Sequence, residues 1–300
     1  MADDVTYFSK DEIICPVCQS HFYREELRMG GGRLSAGELT DELRRTYVPT
    51  AKYGKVVPLL YPITVCPNCL YSADDFDFLS LPPKAFENIT SYRGVRSQYL
   101  IKIFGRVPDF EQKRDLVSGI ASYILATSCY SFFDQRKFAP TIKRGVYCLR
   151  ICWLFNDLFQ ETKEQKFLDL AQIFHKKSAD FYDAALTNQT RGLEPLEGSK
   201  SLGPDTDKNF GYDGVVYLNG VLKFKNANFI EDPIQKLKVY EDVKIILSKV
   251  FGFGKKAKEK PGPLLELSRG IYDKINEELE ILQTSLGDAA VPEEQEGEGK

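Results

Sequence analysis

The chain has 300 residues, 43% hydrophobic and 28% charged, with a formal net charge of −3. This is globular composition, enough for about two domains of ~150 residues. The slightly acidic balance excludes a global positive field that would draw the whole protein onto nucleic acid or an anionic membrane, and leaves only a local basic patch open.

The chain begins MADDVTYFSKDEIIC, which is acidic and polar. It has no basic stretch followed by an apolar one, so no secretory signal is expected. No segment reaches the ~18 uninterrupted apolar residues of a membrane span. The expected location is the cytoplasm. Of seven cysteines, four form two tight pairs and three are scattered through apolar sequence. In a reducing compartment that pattern points to metal binding, not to a disulfide framework.

Residues 5–8 suit a short strand. Residues 15–82 are turn-rich, with Gly30, Gly31 and Gly32 in a row and prolines at 49, 58, 62 and 67. Short apolar runs at 56–60 and 63–65 suit small strands. The cysteine pairs are CPVC at 15–18 and CPNC at 66–69. Two residues between ligands let one tight turn aim both thiolates at a metal, and proline in each turn lowers the entropy of organising it. Cys15, Cys18, Cys66 and Cys69 together make the four-sulfur shell of one structural Zn²⁺. Zinc ribbons commonly separate the pairs by ~15–20 residues; here residues 19–65 intervene, so the insert must be organised or functional. An iron–sulfur cluster also uses four cysteines. A redox role for one pair needs a βαβ context that the sequence lacks. His21 is close enough in sequence to replace a cysteine, but four sulfurs already fill the shell. A closed shell leaves no position for a catalytic water, so no catalytic residue is assigned.

Helical periodicity takes over at Pro83. One helix is expected to residue 104, with Phe86, Ile89, Tyr92, Val95, Tyr99 and Ile103 on its apolar stripe. A second, from 110 to 133, is apolar on most faces and should be buried. Pro140 opens a third, striped by Ile142, Val146, Leu149 and Trp153. A fourth covers 164–186 with Phe167, Leu170, Phe174, Phe181 and Ala185 on one face. Cys129, Cys148 and Cys152 read as small buried hydrophobes, and His175 as a surface or partly buried helix residue. Residues 187–211 are rich in Gly, Pro and polar side chains and read as a long loop or linker. Helices resume at 212–225 and 233–251, and a last one covers 263–282. Between the last two, the basic GFGKKAKEKPGP reads as an exposed loop. The expected organisation is a zinc module (1–82), a helical domain (83–186), a linker (187–211), further helices (212–284) and a disordered acidic tail (285–300).

The runs CPVCQSHFYREEL and GRLSAGELTDELRRTYVPTAKYGKVVPLLYPITVCPNCLYSADDFDF resemble the N-terminal signature of a bacterial family of unknown function. In that family a four-cysteine zinc module precedes helices similar to tetratricopeptide repeats. The resemblance is dense over 15–78 and looser through the helices. It implies a mainly α fold: a small β-containing, zinc-ribbon-like module, then antiparallel helix pairs, with the four cysteines as ligands. Such repeats are ~34-residue helix pairs with small residues at the crossings. The stretch 217–229 offers Gly220 and Phe229 at suitable places, while Asp232-Pro233 falls where a small residue belongs.

Three functional readings follow. The first is an interaction scaffold, in which stacked helix pairs hold a partner protein. The second is nucleic-acid binding by the insert, where Arg24, Arg28, Arg33, Arg44, Arg45, Lys52 and Lys55 interleave with Tyr23, Tyr47 and Tyr53. Five acids (Glu25, Glu26, Glu38, Asp41 and Glu42) interrupt that set and rank it behind the first. The third is an enzyme using GGGRLSAGELTDELRR, which lacks a phosphate-loop motif and any Ser/His/Asp arrangement.

Overall fold

A computed structural model describes residues 5–251 and 260–289. The chain divides into two compact units, Met1–Val215 and Val216–Lys300. The structure is mainly α, with small antiparallel strand pairs at the N-terminal end followed by helices. The cysteine-bearing strand pairs and the first six helices belong to one compact unit.

The strands of the first unit are β1 (Thr6–Phe8), β2 (Ile13–Ile14), β3 (His21–Phe22), β4 (Glu25–Leu27), β5 (Ala36–Leu39), β6 (Arg45–Tyr47), β7 (Ile63–Val65) and β8 (Ser72–Asp74). They pair antiparallel as β1–β4, β2–β3, β5–β6 and β7–β8. Each pair is too short to stand alone, so these strands depend on what they pack against. Gly30, Gly31 and Gly32 all have positive φ, which explains why the turn after β4 needs three glycines.

The helices are α1 (Phe86–Ser91), α2 (Arg93–Phe104), α3 (Leu116–Cys129), α4 (Gln135–Phe138), α5 (Pro140–Thr162) and α6 (Gln165–Thr190). The expected helix to residue 104 is broken at Tyr92, which caps α1 and precedes α2. The expected helix from 110 starts only at Leu116, where Asp115 and Ser118 form a reciprocal capping box. Before it, Arg114 donates to the carbonyls of Leu60 (3.2 Å) and Ile63 (2.8 Å) and ties α3 to the module. Helix α3 is buried on nearly every face, as its apolar middle requires. Pro140 opens α5 as expected, and Ile142, Val146, Leu149 and Trp153 are all buried.

Helices α5 and α6 form an antiparallel hairpin across a two-residue turn. Gly145, early in α5, meets Tyr182 and Phe181, late in α6, whereas Phe155 stacks on Phe167 at the other end. A Cβ at Gly145 would lie 3.0 Å from the Tyr182 ring, so glycine lets the two helices approach.

One expectation fails for a physical reason. The stripe assigned to the core of α1 and α2 faces solvent in large part: Tyr92, Val95 and Tyr99 are exposed, and the buried face is Ile89, Arg96 and Leu100. Residues 187–211 include a loop held through two buried acids. Helix α6 runs to Thr190, and buried Glu194 accepts from Thr141 N (2.5 Å), Thr141 Oγ1 (2.6 Å) and Asn188 (3.1 Å). Buried Asp205 accepts from Arg45 N at 2.7 Å.

Helix α7 (Gly211–Ala227) leads into the second unit, which continues with α8 (Pro233–Phe251) and α9 (Gly262–Ala289). Gly220 sits against Ile246 and Leu247, and Phe224 against Tyr240, so these two helices also run antiparallel. Phe229 is 63% exposed. Helix continues through 285–289, which were expected to belong to the acidic tail. The rest of that tail (290–300) and most of the basic loop (252–259) lie outside the described residues. Among the described residues no helix is long and apolar enough to cross a membrane.

Candidate metal centre

Each cysteine pair sits at the tip of its own hairpin, and the two tips share one geometry. In the first, Cys15 N donates to Ser20 O (3.0 Å) and Gln19 N to Cys15 O (3.0 Å). In the second, Cys66 N donates to Tyr71 O (2.9 Å) and Leu70 N to Cys66 O (2.9 Å). Both chains reverse through a left-handed residue after the second cysteine, Gln19 at φ 59° and Leu70 at φ 60°. These are side-chain-bearing residues in a region that costs them about 1 kcal/mol. Matching strain at matching positions marks a turn held by something beyond its own backbone.

The two tips meet. The four Sγ atoms lie within 4.8 Å of one another, with Cys15 to Cys69 at 3.6 Å and Cys18 to Cys66 at 3.5 Å. All four are free thiols, far too distant for disulfides. A tetrahedral ion with metal–sulfur bonds of ~2.3 Å has sulfur–sulfur edges of ~3.8 Å, which these separations fit. Among the described residues this is the only group able to hold a metal. His21 is not part of it: its ring turns outward to Glu12 at 2.9 Å.

Donors surround the sulfurs. Val17 N approaches Cys15 Sγ at 3.4 Å, Cys69 N approaches Cys66 Sγ at 3.5 Å, and Ser20 Oγ lies 3.0 Å from Cys18 Sγ and 3.2 Å from Cys66 Sγ. Hydrogen bonds from Cys15 and Cys69 push Cys66 well below the ordinary thiol range. Cys15, on the other side of that bond to Cys66, is pushed up to about 12. Four bare thiols this close cannot all ionise, and a cation is what would let them.

Helix α2 covers the second tip. Arg93 donates to Asn68 (3.2 Å), and Asn68 in turn donates to Cys18 Sγ (3.6 Å). Arg96 is only 1% exposed and donates to Cys69 O at 3.1 Å, while its Nε and Nη1 have no hydrogen-bond partner among the described residues. Away from this cluster, burial raises the Cys129 thiol and pushes Cys148 up to about 12.

The insert between the pairs is docked on the helices. Glu42, 8% exposed, accepts from Trp153 Nε1 and lies 3.0 Å from His175 Nε2. Arg44 pairs with Asp157. The partners are 111 and 133 positions apart, so nothing local announces them. Replacing Glu42 with alanine is expected to cost about 2 kcal/mol, since the buried Trp153 Nε1–H loses its acceptor and the partly buried His175 loses a partner; urea denaturation of wild type and variant measures it.

A four-cysteine cluster of metal-binding geometry, built on two hairpins and packed on helices, defines the class. The chain belongs to the family described as an uncharacterized protein conserved in bacteria (DUF2225), which matches residues 8–275. It is 37% identical over 279 residues to an uncharacterized protein of Borreliella burgdorferi, covering 93% of this chain and 99% of that one. No solved structure matches.

Proposed function

We propose that the chain is a zinc-binding interaction scaffold: one structural Zn²⁺ clamps the insert to the helical body, and the helices present a surface to a partner protein in the cytoplasm. The observation that carries the metal part is the closed sulfur shell, with three of its cysteines buried and no room for a substrate-bearing position. Zinc suits four thiolates without needing redox chemistry. When bound it supplies charge neutralisation and a covalent tie between residues 15–18 and 66–69. Support for the partner surface comes from α1 and α2, where Tyr92, Val95 and Tyr99 leave an exposed apolar stripe.

The nucleic-acid reading loses its main support because the insert's basic side chains are engaged. Arg24 pairs with Glu26 and Asp75, Arg44 with Asp157, Arg45 with Asp207, and Lys55 with Glu161. Arg28 lies over Tyr7 and Arg33 over Tyr53.

Metal analysis of purified wild type beside Cys66→Ser tests the first part. About one zinc per chain is expected, and little in the variant; iron with visible absorbance would overturn the assignment. For the second part, a partner captured by wild type should be lost by Tyr99→Asp at unchanged thermal stability. Equal capture by both removes α2 from the reading.

A further inference from the structure

Within the Met1–Val215 unit, β4, β8, α5 and the 200–207 loop enclose a cavity of about 900 Å³. That is the size of a small-molecule site. Seven carboxylates line it against four cationic side chains. The cations are committed to the protein. Lys143 pairs with Asp77, Arg24 with Glu26 and Asp75, and Lys200 rests on the Phe76 carbonyl at 3.5 Å. Arg150, 6% exposed, donates to Pro204 O (2.6 Å) and Tyr123 Oη (3.4 Å) between Asp74 and Asp205.

The carboxylates are less completely used. Asp77 is 5% exposed, and its Oδ2 takes both of its hydrogen bonds, from Tyr130 (2.6 Å) and Lys143. Asp74 accepts from Tyr147 on Oδ2 alone. The Oδ1 of each residue has no hydrogen bond among the described residues, and both residues line the cavity. Two acceptor oxygens of neighbouring acids, in a space with excess negative charge, call for a cationic donor. Metal is not the fit, since among the described residues no second group of ligands converges there. Tyr47, Tyr61 and Val146 also line the cavity, surfaces for methylene groups and for cation–π contact.

We infer that this cavity binds a linear alkyl polyamine, one ammonium bridging Asp74 and Asp77 and the methylene run lying along Tyr61, Tyr47 and Val146. Charge and the aromatic wall both favour such a ligand over an anion. The site lies apart from the four cysteines, so it is independent of the metal's identity.

Titration calorimetry on the metal-replete full chain tests it, with spermidine, putrescine, the uncharged diol of putrescine's length and inorganic phosphate as probes. Saturable binding of spermidine at one per chain is expected, with no heat from the diol or phosphate. Asp74→Asn should weaken it roughly tenfold. Ser201→Trp, on the exposed loop at the cavity wall, should weaken it by blocking entry and carries the test if Asp74→Asn fails to fold. Absence of saturable binding, equal binding of the diol, preference for phosphate, or unchanged affinity in both variants would each overturn the proposal.

Discussion

On the zinc reading, stripping the metal with a strong chelator is expected to abolish the cooperative unfolding transition of the Met1–Val215 unit, and Cys66→Ser to do the same. The strands that carry the cysteines are two or three residues long, and no sheet in the module exceeds two strands. Pairs of that length are marginal at best in water. Each tip also holds one side-chain-bearing residue in the left-handed region. Structural zinc contributes about 10–16 kcal/mol in small zinc domains, and a whole domain is stable by only about 5–15 kcal/mol. Losing the ion therefore removes a term as large as the net stability. The damage would spread, because Tyr71, Ile63 and Phe78 of the module are fully buried and Arg114 binds its carbonyls. Circular dichroism melts and limited proteolysis with and without chelator read the effect: the chelated chain should be cut within 19–65 and melt without a sharp transition. A melt within ~5 °C of wild type would show that packing alone holds the module.

The cysteine pairs were legible because their signal is local: two thiols on one tight turn, twice. Helix α5 was legible for the same reason, with Pro140 at its first position and a stripe at helical spacing. What was not legible depends on contacts remote in sequence. Tyr92, Val95 and Tyr99 repeat as a core stripe does, but periodicity identifies a face and not what covers it. The covered face carries Arg96, a residue that hydropathy assigns to water. The 187–211 segment has loop composition and is a loop, yet Glu194 and Asp205 anchor it to residues 53 and 160 positions away. The cavity is assembled from four separate stretches of chain, none of which carries a motif.

Arg96→Met is expected to move stability in opposite directions with and without metal. A guanidinium does not give up its proton in a protein, so Arg96 is a charge at 1% exposure. Among the described residues no carboxylate pairs with it; its one hydrogen bond goes to Cys69 O, and Nε and Nη1 are left bare. An uncompensated buried cation costs several kcal/mol. Four thiolates around a divalent ion carry a net charge of −2, and a cation fixed on the backbone of one ligand offsets part of it. On the zinc reading, Arg96 is thus strained in the empty protein and matched in the loaded one. Methionine fills a similar volume without charge. The metal-free variant should be at least as stable as metal-free wild type, and the loaded variant less stable than loaded wild type. Zinc affinity, read by competition with a chromophoric chelator, should fall roughly tenfold to a hundredfold, with Arg96→Lys recovering part of it. A purely structural arginine would instead lower stability in both states and leave the affinity where it was.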